Sequence, residues 1–198
     1  MTKAGQDYSR GALGGFVRVA GRLELADGAS LSWSAADGSR GRRWRAVSMV
    51  NGSITTLVLL EVDLRGRPSR LELTTRAGML TLHPARDGRE IHGNVVSSAG
   101  RGVRHLAFPW GPEHELELVG RPGPTIVALH RRQSSVPVGS SVEAEVLVIG
   151  LDLDVVAGRR RFERLSAARW RVSPPDTEFE VDPDGLPVGG TRWALESD

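Results

Sequence analysis

Val142-Glu-Ala-Glu-Val-Leu-Val-Ile149 sets Val142, Ala144, Val146 and Val148 on one face of an extended segment, with Glu143 and Glu145 on the other. Successive side chains of a strand point to opposite sides, so this period is that of a half-buried β-strand. Leu151, Leu153 and Val155 continue the apolar set with Asp152 and Asp154 opposite, which predicts a further strand over 151–156. Asn51-Gly52, Asp27-Gly28, Asp37-Gly38, Asp87-Gly88 and Asp184-Gly185 punctuate the chain. Such dipeptides supply the positive φ that tight hairpins require.

Between these turns, short alternating runs predict strands over 16–25, 43–50, 54–64, 71–74, 79–83, 91–96, 103–108, 114–119 and 125–130. Further strands are predicted over 160–165, 169–172, 178–182 and 191–195. No helix is expected. Arg159 to Ala168 comes nearest through Phe162 and Leu165, but Gly158 before it and Trp170-Arg-Val172 after it favour strand. Phe108-Pro-Trp-Gly-Pro112, Arg121-Pro-Gly-Pro124 and Ser173-Pro-Pro175 read as connections, since proline cannot donate within a central strand. Many antiparallel strands at short spacing imply a sandwich or a barrel, and a long meander loses its exposed edges most simply by curling closed. The expected fold is all-β: a single large, strongly curved antiparallel sheet forming a complete or partial barrel around an apolar cavity. One domain is expected over 11–198, preceded by a frayed segment over 1–10 that carries Lys3, Gln6 and Asp7 and few apolar groups.

Composition narrows the function classes. The 198 residues include 26 basic and 24 acidic side chains, a formal charge of +2 that gives no general nucleic-acid footprint. The absence of cysteine excludes disulfides, thiol nucleophiles and thiolate metal sites. The first 30 residues show no basic and apolar leader pattern, so a cytoplasmic location is expected. The longest apolar run, Leu57-Val-Leu-Leu60, ends at Glu61, far short of the roughly 18 residues of a membrane span, so no integral membrane association is expected.

Most candidate chemistry has a plainer account. His83, His92, His105, His114 and His130 are scattered rather than paired at ligand spacing. His92 and His105, with His83 or Glu90, form a metal set only in one particular strand register; ordinary strand histidines explain them as well. Asp152 and Asp154 would share a strand face at roughly 7 Å, within the range of glycosidase carboxylate pairs, yet a half-exposed strand needs that alternation anyway. No Gly-x-Ser-x-Gly elbow and no phosphate-cradling glycine loop is present.

Arginine and tryptophan are more suggestive. Arg42, Arg43 and Arg45 surround Trp44; Arg131 and Arg132 follow His130; Arg159, Arg160 and Arg161 precede Phe162; Arg169 and Arg171 bracket Trp170. Strands of this kind bury the aromatic and solvate the charges. The functional alternative directs a guanidinium such as Arg132 or Arg161 at an anionic or polyhydroxyl headgroup through its forked donors. RNA stacked on the aromatics fits the same patches, but the interspersed acidic residues oppose it. Trp33, Trp44, Trp170 and Trp193 are core or pocket candidates, while Trp110, between Pro109 and Gly111-Pro112, stands on a connection suited to a rim.

The C-terminal third adds a family likeness. Pro122-Gly-Pro-Thr125 leads to Arg131-Arg132, then to Arg161-Phe-Glu-Arg-Leu165 and to Val181-Asp-Pro-Asp-Gly-Leu-Pro-Val188. In order and spacing this tract resembles the bacterial glycolipid-binding protein family, whose pattern there is a Thr-Pro-x-Thr run ending in Arg-Arg, an Arg-Tyr-Thr-Arg-Leu-like strand and a Val-Asp-x-Asp-Gly-Leu-x-Val hairpin. Ile126 to His130 depart from the family's Asn-Thr-Leu-Pro-Ile. The resemblance implies a curved sheet, like that of periplasmic lipoprotein carriers, around an apolar cavity.

The expected function is therefore binding of an amphipathic or hydrophobic small molecule, glycolipid-like, with the tail in the cavity and no cofactor. Arg131, Arg132, Arg161, Trp110, His130 and Trp170 are the expected ligand contacts. The alternative is a cofactor-independent cyclase, isomerase or dehydratase of specialised metabolism that uses the same cavity to fold a polyketide-like or terpenoid-like substrate. A third possibility is a structural β-domain with a packed interior.

Overall fold

Hairpin succeeds hairpin through the first half of the chain. In the computed structural model, which describes residues 18–100 and 102–194, these hairpins build one continuous meander. It runs through β1 (Arg18–Glu24), β2 (Ser30–Gly38), β3 (Gly41–Val50), β4 (Ser53–Val62), β5 (Pro68–Thr75), β6 (Gly78–Pro84), β7 (Glu90–Ser97) and β8 (Val103–Pro109). The second half is β9 (Glu115–Leu118), α1 (Gly123–Arg132), β10 (Ser141–Ile149), β11 (Val155–Arg164), β12 (Arg169–Ser173), β13 (Thr177–Glu180) and β14 (Thr191–Ala194). β14 returns to pair antiparallel with β1 and completes a nine-stranded sheet, while the other strands form a second sheet in the order β13-β12-β11-β10-β9. The fold is all-β with one short helix: a large antiparallel sheet and a second sheet curled as a half-barrel. The segment 1–10, expected to fray, lies outside the described residues.

Local chemistry accounts for the hairpins. Asn51 and Gly52 both hold positive φ, 49° and 77°, between the paired residues Val50 and Ser53, as a two-residue primed turn requires. Asp27 accepts the Ala29 amide at 3.1 Å through its side chain, and Gly28 follows at φ 77°. Asp37-Gly38 differs from expectation, because β2 continues through Gly38 and the reversal falls on Ser39 and Arg40. β2 itself was not among the expected strands, although Leu31, Trp33 and Ala35 alternate inward along it.

Two expectations are corrected. Thr125 to His130, read as a strand, belongs to α1. β9 and β10 pair in parallel, and a parallel pair needs a crossover connection, which this helix supplies. Every residue from Gly123 to Leu129 is buried, so the helix shows none of the polar and apolar periodicity that betrays a half-exposed one. Within Arg159 to Ala168, the nearest helix candidate, the structure keeps the favoured strand: β11 runs through Arg164. Asp152 and Asp154 also leave the expected strand: residues 150–154 turn between β10 and β11, with Leu153 at φ 70° and buried. Asp152 there accepts the Asp154 amide and Asp154 meets Arg104, so the carboxylates are turn and surface partners.

The core is continuous between the two sheets. Leu60, Leu71, Leu73, Leu80, Leu82 and Ile91 from the large sheet join Leu116, Leu118, Val146, Ile149, Phe162 and Trp170 from the second, with Ile126, Ala128 and Leu129 of α1 in the same cluster.

Candidate functional site

A cleft of about 220 Å³ opens at the C-terminal half of α1. Its walls are the ends of β2 and β3, the β4–β5 turn, the helix residues Val127 and His130, and the turn at Gly185. The register explains why these segments meet. Pairing shifts at Glu61/Val62, and a bulge of this kind bends its strand and re-aims the side chains beyond it. Asp63 Oδ1 then accepts the amides of Arg65 at 2.8 Å and Arg67 at 2.9 Å, closing a turn that leaves Leu64 77% exposed at the mouth. Gly41 allows β3 to start against β4: at φ 126°, a Cβ there would lie 2.0 Å from the Val62 carbonyl.

Arg42 organises the floor. Its Nε and Nη2 donate to the two carboxylate oxygens of Asp37 at 2.6 and 3.0 Å, and Nη1 donates to the Asp184 carbonyl at 2.5 Å. That fork neutralises Asp37 and ties the 182–186 turn to β3. The turn is held again by Gln133 Nε2, which donates to the Val181 and Asp182 carbonyls at 3.2 Å, and by Arg192, which reaches Asp182 at 2.6 Å. His130 lies flat against Gly185, where a Cβ would sit 2.4 Å from its Cγ. His130 Nδ1 is 3.4 Å from Gln133 Oε1. Among the described residues, His130 Nε2 and Asp63 Oδ2 have no protein partner, and both line the cleft with Val62, Leu64 and Val127. The arrangement offers one acceptor or donor of each kind beside an apolar wall.

Of the expected contacts, His130 alone lines this cleft. Arg131 and Arg132 turn instead to Glu115 of β9. Arg131 Nη2 contacts Glu115 Oε1 and Nη1 donates to the Pro112 carbonyl at 2.9 Å. Arg132 Nη2 lies 2.8 Å from the same Glu115 oxygen, and its guanidinium stands 5.1 Å over the Phe162 ring. The Glu115 side chain is 2% exposed and that of Arg132 6%, so the triad is a buried electrostatic joint between α1 and β9. Burial pushes the Glu115 carboxyl above the usual carboxylate range, and the two guanidinium charges offset only part of that rise.

Arg161 is exposed on β11, opposite Glu143 and Ser173. Trp110 is buried, its ring 5.4 Å from that of His114, and Trp170 is fully buried beneath the Arg164 guanidinium at 5.6 Å. The remaining arginine clusters are largely ion-paired. Arg159 pairs with Glu145, Arg160 with Glu117, and Arg169 and Arg171 with Glu178, whose carboxyl Arg171 and Arg169 draw down. His83, not His105, faces His92 across the β6–β7 pair, while His105 lies against Asn94. Among the described residues no three potential ligands converge on a metal position.

Sequence reading missed Arg42 as the floor, Asp63 and Leu64 as the mouth, and Gly41 and Gly185 as close approaches. Asp37-Gly38 and Asp184-Gly185 signalled turns, but only the fold brings those turns together. No protein-family model, curated protein or solved structure matches the chain. Among the described residues no helix is long and apolar enough to cross a membrane.

Proposed function

We propose that the chain binds a small amphipathic molecule, its polar head seated in the cleft beside His130, Asp63 and Arg42 and its apolar part against Val62, Leu64 and Val127. One observation carries this reading: a large apolar side chain, Leu64, stands 77% exposed at the rim of a cleft whose floor is a fixed guanidinium–carboxylate fork. Ligand binding would remove that surface from water, a gain of about 1.5–3 kcal/mol for a fully buried leucine. The likeness of the C-terminal tract to glycolipid-binding proteins supports the same ligand class, since Asp184 and Gly185 of that tract border the cleft. At about 220 Å³ the cleft suits a single sugar ring or comparable head, below the roughly 300–1,000 Å³ of pockets that enclose whole drug-sized ligands. In this reading the enclosing barrel reduces to a surface cleft, with the apolar part of the ligand held at its rim by Leu64.

Octyl glucoside below its micellar concentration is a suitable probe, titrated by calorimetry. Saturable one-site binding is expected, weakened about tenfold or more in Leu64→Asp and in His130→Ala, since 1.4 kcal/mol is a factor of ten. Absence of saturable binding, or equal binding by wild type and Leu64→Asp, overturns the reading.

A further inference from the structure

The opposite end of α1 concentrates buried hydrogen-bond donors that find no acceptor among the described residues. Pro122 occupies the N-cap without a side-chain hydrogen bond, and the first turn contains no acidic residue. The amides of Gly123 and Thr125 precede the first helical bond, that from Ile126 to the Pro122 carbonyl at 2.8 Å. Such amides, with the helix dipole behind them, favour a negative group. Gly123 and Thr125 are both buried, so bulk water does not serve them.

Two buried side chains near this turn carry further donors, one of them placed against Gly123. Trp44 is 3% exposed, and its Nε1 has no partner among the described residues. That nitrogen lies 3.7 Å from the point where a side chain on Gly123 would begin, so the indole N–H abuts the open face of the first turn. Arg121, two residues before Gly123, is 4% exposed in its side chain; Nη1 donates to Asp27 Oδ2 at 3.0 Å and to the Gly120 carbonyl at 2.7 Å, while its buried Nε has no partner among the described residues. A buried donor left unmatched costs about 1–3 kcal/mol, so several at one helix terminus call for an acceptor.

We propose that the N-terminal end of α1 is an oxyanion site, taking a carboxylate or phosphate group on the Gly123 and Thr125 amides, the Trp44 indole N–H and Arg121. Gly123 matters because its missing side chain leaves the indole and the amides open to the same group. Asp27, half-exposed beside Arg121, marks the solvent side of the site and is the built-in competitor for the guanidinium. The site is separate from the cleft, which takes Val127 and His130 from later turns of the helix.

The test is thermal unfolding of the full chain in graded sodium phosphate and sodium acetate, against sodium chloride at matched ionic strength. A saturable, anion-specific rise in midpoint is expected. Response to phosphate alone identifies a phosphomonoester group, and response to acetate alone a carboxylate; either supports the site. Trp44→Phe keeps a ring but loses the donor, and about tenfold weaker binding is expected, the value of one charge-assisted hydrogen bond. Gly123→Ala places its methyl 3.7 Å from the indole, an ordinary contact that leaves the fold intact while covering the donor, and is expected to weaken the anion at least as much. Asp27→Asn should tighten binding. No response beyond chloride, or an unchanged response in Gly123→Ala, overturns the proposal, even if Trp44→Phe shifts stability on its own.

Discussion

Gly185→Ala is the sharpest probe of how the cleft is built. Gly185 sits at φ 74°, and a Cβ there would lie 2.4, 2.6 and 2.8 Å from Cγ, Cδ2 and Nδ1 of His130. Two costs are separable. The left-handed backbone costs about 1–2 kcal/mol once a side chain is present. The overlap adds about 1–3 kcal/mol, as for other overpacking, because the ring stands against a turn held by Arg42, Gln133 and Arg192. Gly28 isolates the first cost, since it has φ 77° and nothing within 4 Å of a built Cβ. Urea unfolding should therefore show Gly28→Ala down by about 1–2 kcal/mol and Gly185→Ala by about 2–5 kcal/mol. In a chain of this size the larger loss corresponds to a fall in Tm of roughly 5–15 °C. His130→Ala removes the obstructing ring, so in the double variant the steric part disappears. The coupling between the two changes should then be about 1–3 kcal/mol. If Gly185→Ala costs no more than Gly28→Ala, or the two changes simply add, His130 does not pack on Gly185 and the wall of the cleft is misassigned.

Two of the perturbed carboxylates, Glu115 and Asp27, predict pH dependences of opposite sign. Glu115 has its folded-state carboxyl raised by burial, so the native state binds more protons than the unfolded one just above the ordinary pKa of about 4.3. Wild-type stability relative to Glu115→Gln should fall as pH rises through that window, and a relative rise would show that the two arginines dominate. Asp27 has its carboxyl lowered by the Ala29 amide and Arg121, so its contribution is present above the unfolded value of about 3.9 and lost as pH falls through the lower folded value. Because the Asp27 side chain is 51% exposed, Asp27→Asn should cost no more than about 1 kcal/mol at pH 7 and nothing in strong acid. Denaturant titrations at several pH values measure both; a difference for Asp27→Asn that grows on acidification refutes its assignment.

What was legible in the sequence was the chemistry that acts within a few residues. Asn51-Gly52 can form few other turns, and Glu143 and Glu145 are exposed opposite the buried Ala144 and Val146. β2 was equally legible in Leu31, Trp33 and Ala35, but serines at 30, 32 and 34 are weak strand formers and dulled the signal. The cleft was not legible, because its parts meet through register. Arg42 and Asp184 are 142 residues apart, and nothing in either neighbourhood names the other.

Glu115 shows the same limit in the core. In Glu115-Leu-Glu-Leu118 an alternating strand predicts both glutamates outside, and Glu117 does remain partly accessible. Glu115 is buried because α1 supplies two guanidinium groups over that end of β9.

The difference between the expected and observed roles of His130, Arg131 and Arg132 follows from one change of period. The expected strand ends at His130, and continued extended chain beyond it would put His130 and Arg132 on one face with Arg131 opposite, which makes a pair of headgroup contacts natural. On a helix each residue turns about 100° from the last, so three in succession cannot serve one surface. His130 falls toward the cleft, while Arg131 and Arg132 straddle Glu115. The cationic dipeptide that looked like a ligand clamp thus locks the helix to β9, and its neighbour His130 is left on the open side. Substitutions that loosen the lock would move His130 without touching it, so the stability of the buried triad and the geometry of the cleft are coupled through the last turn of α1.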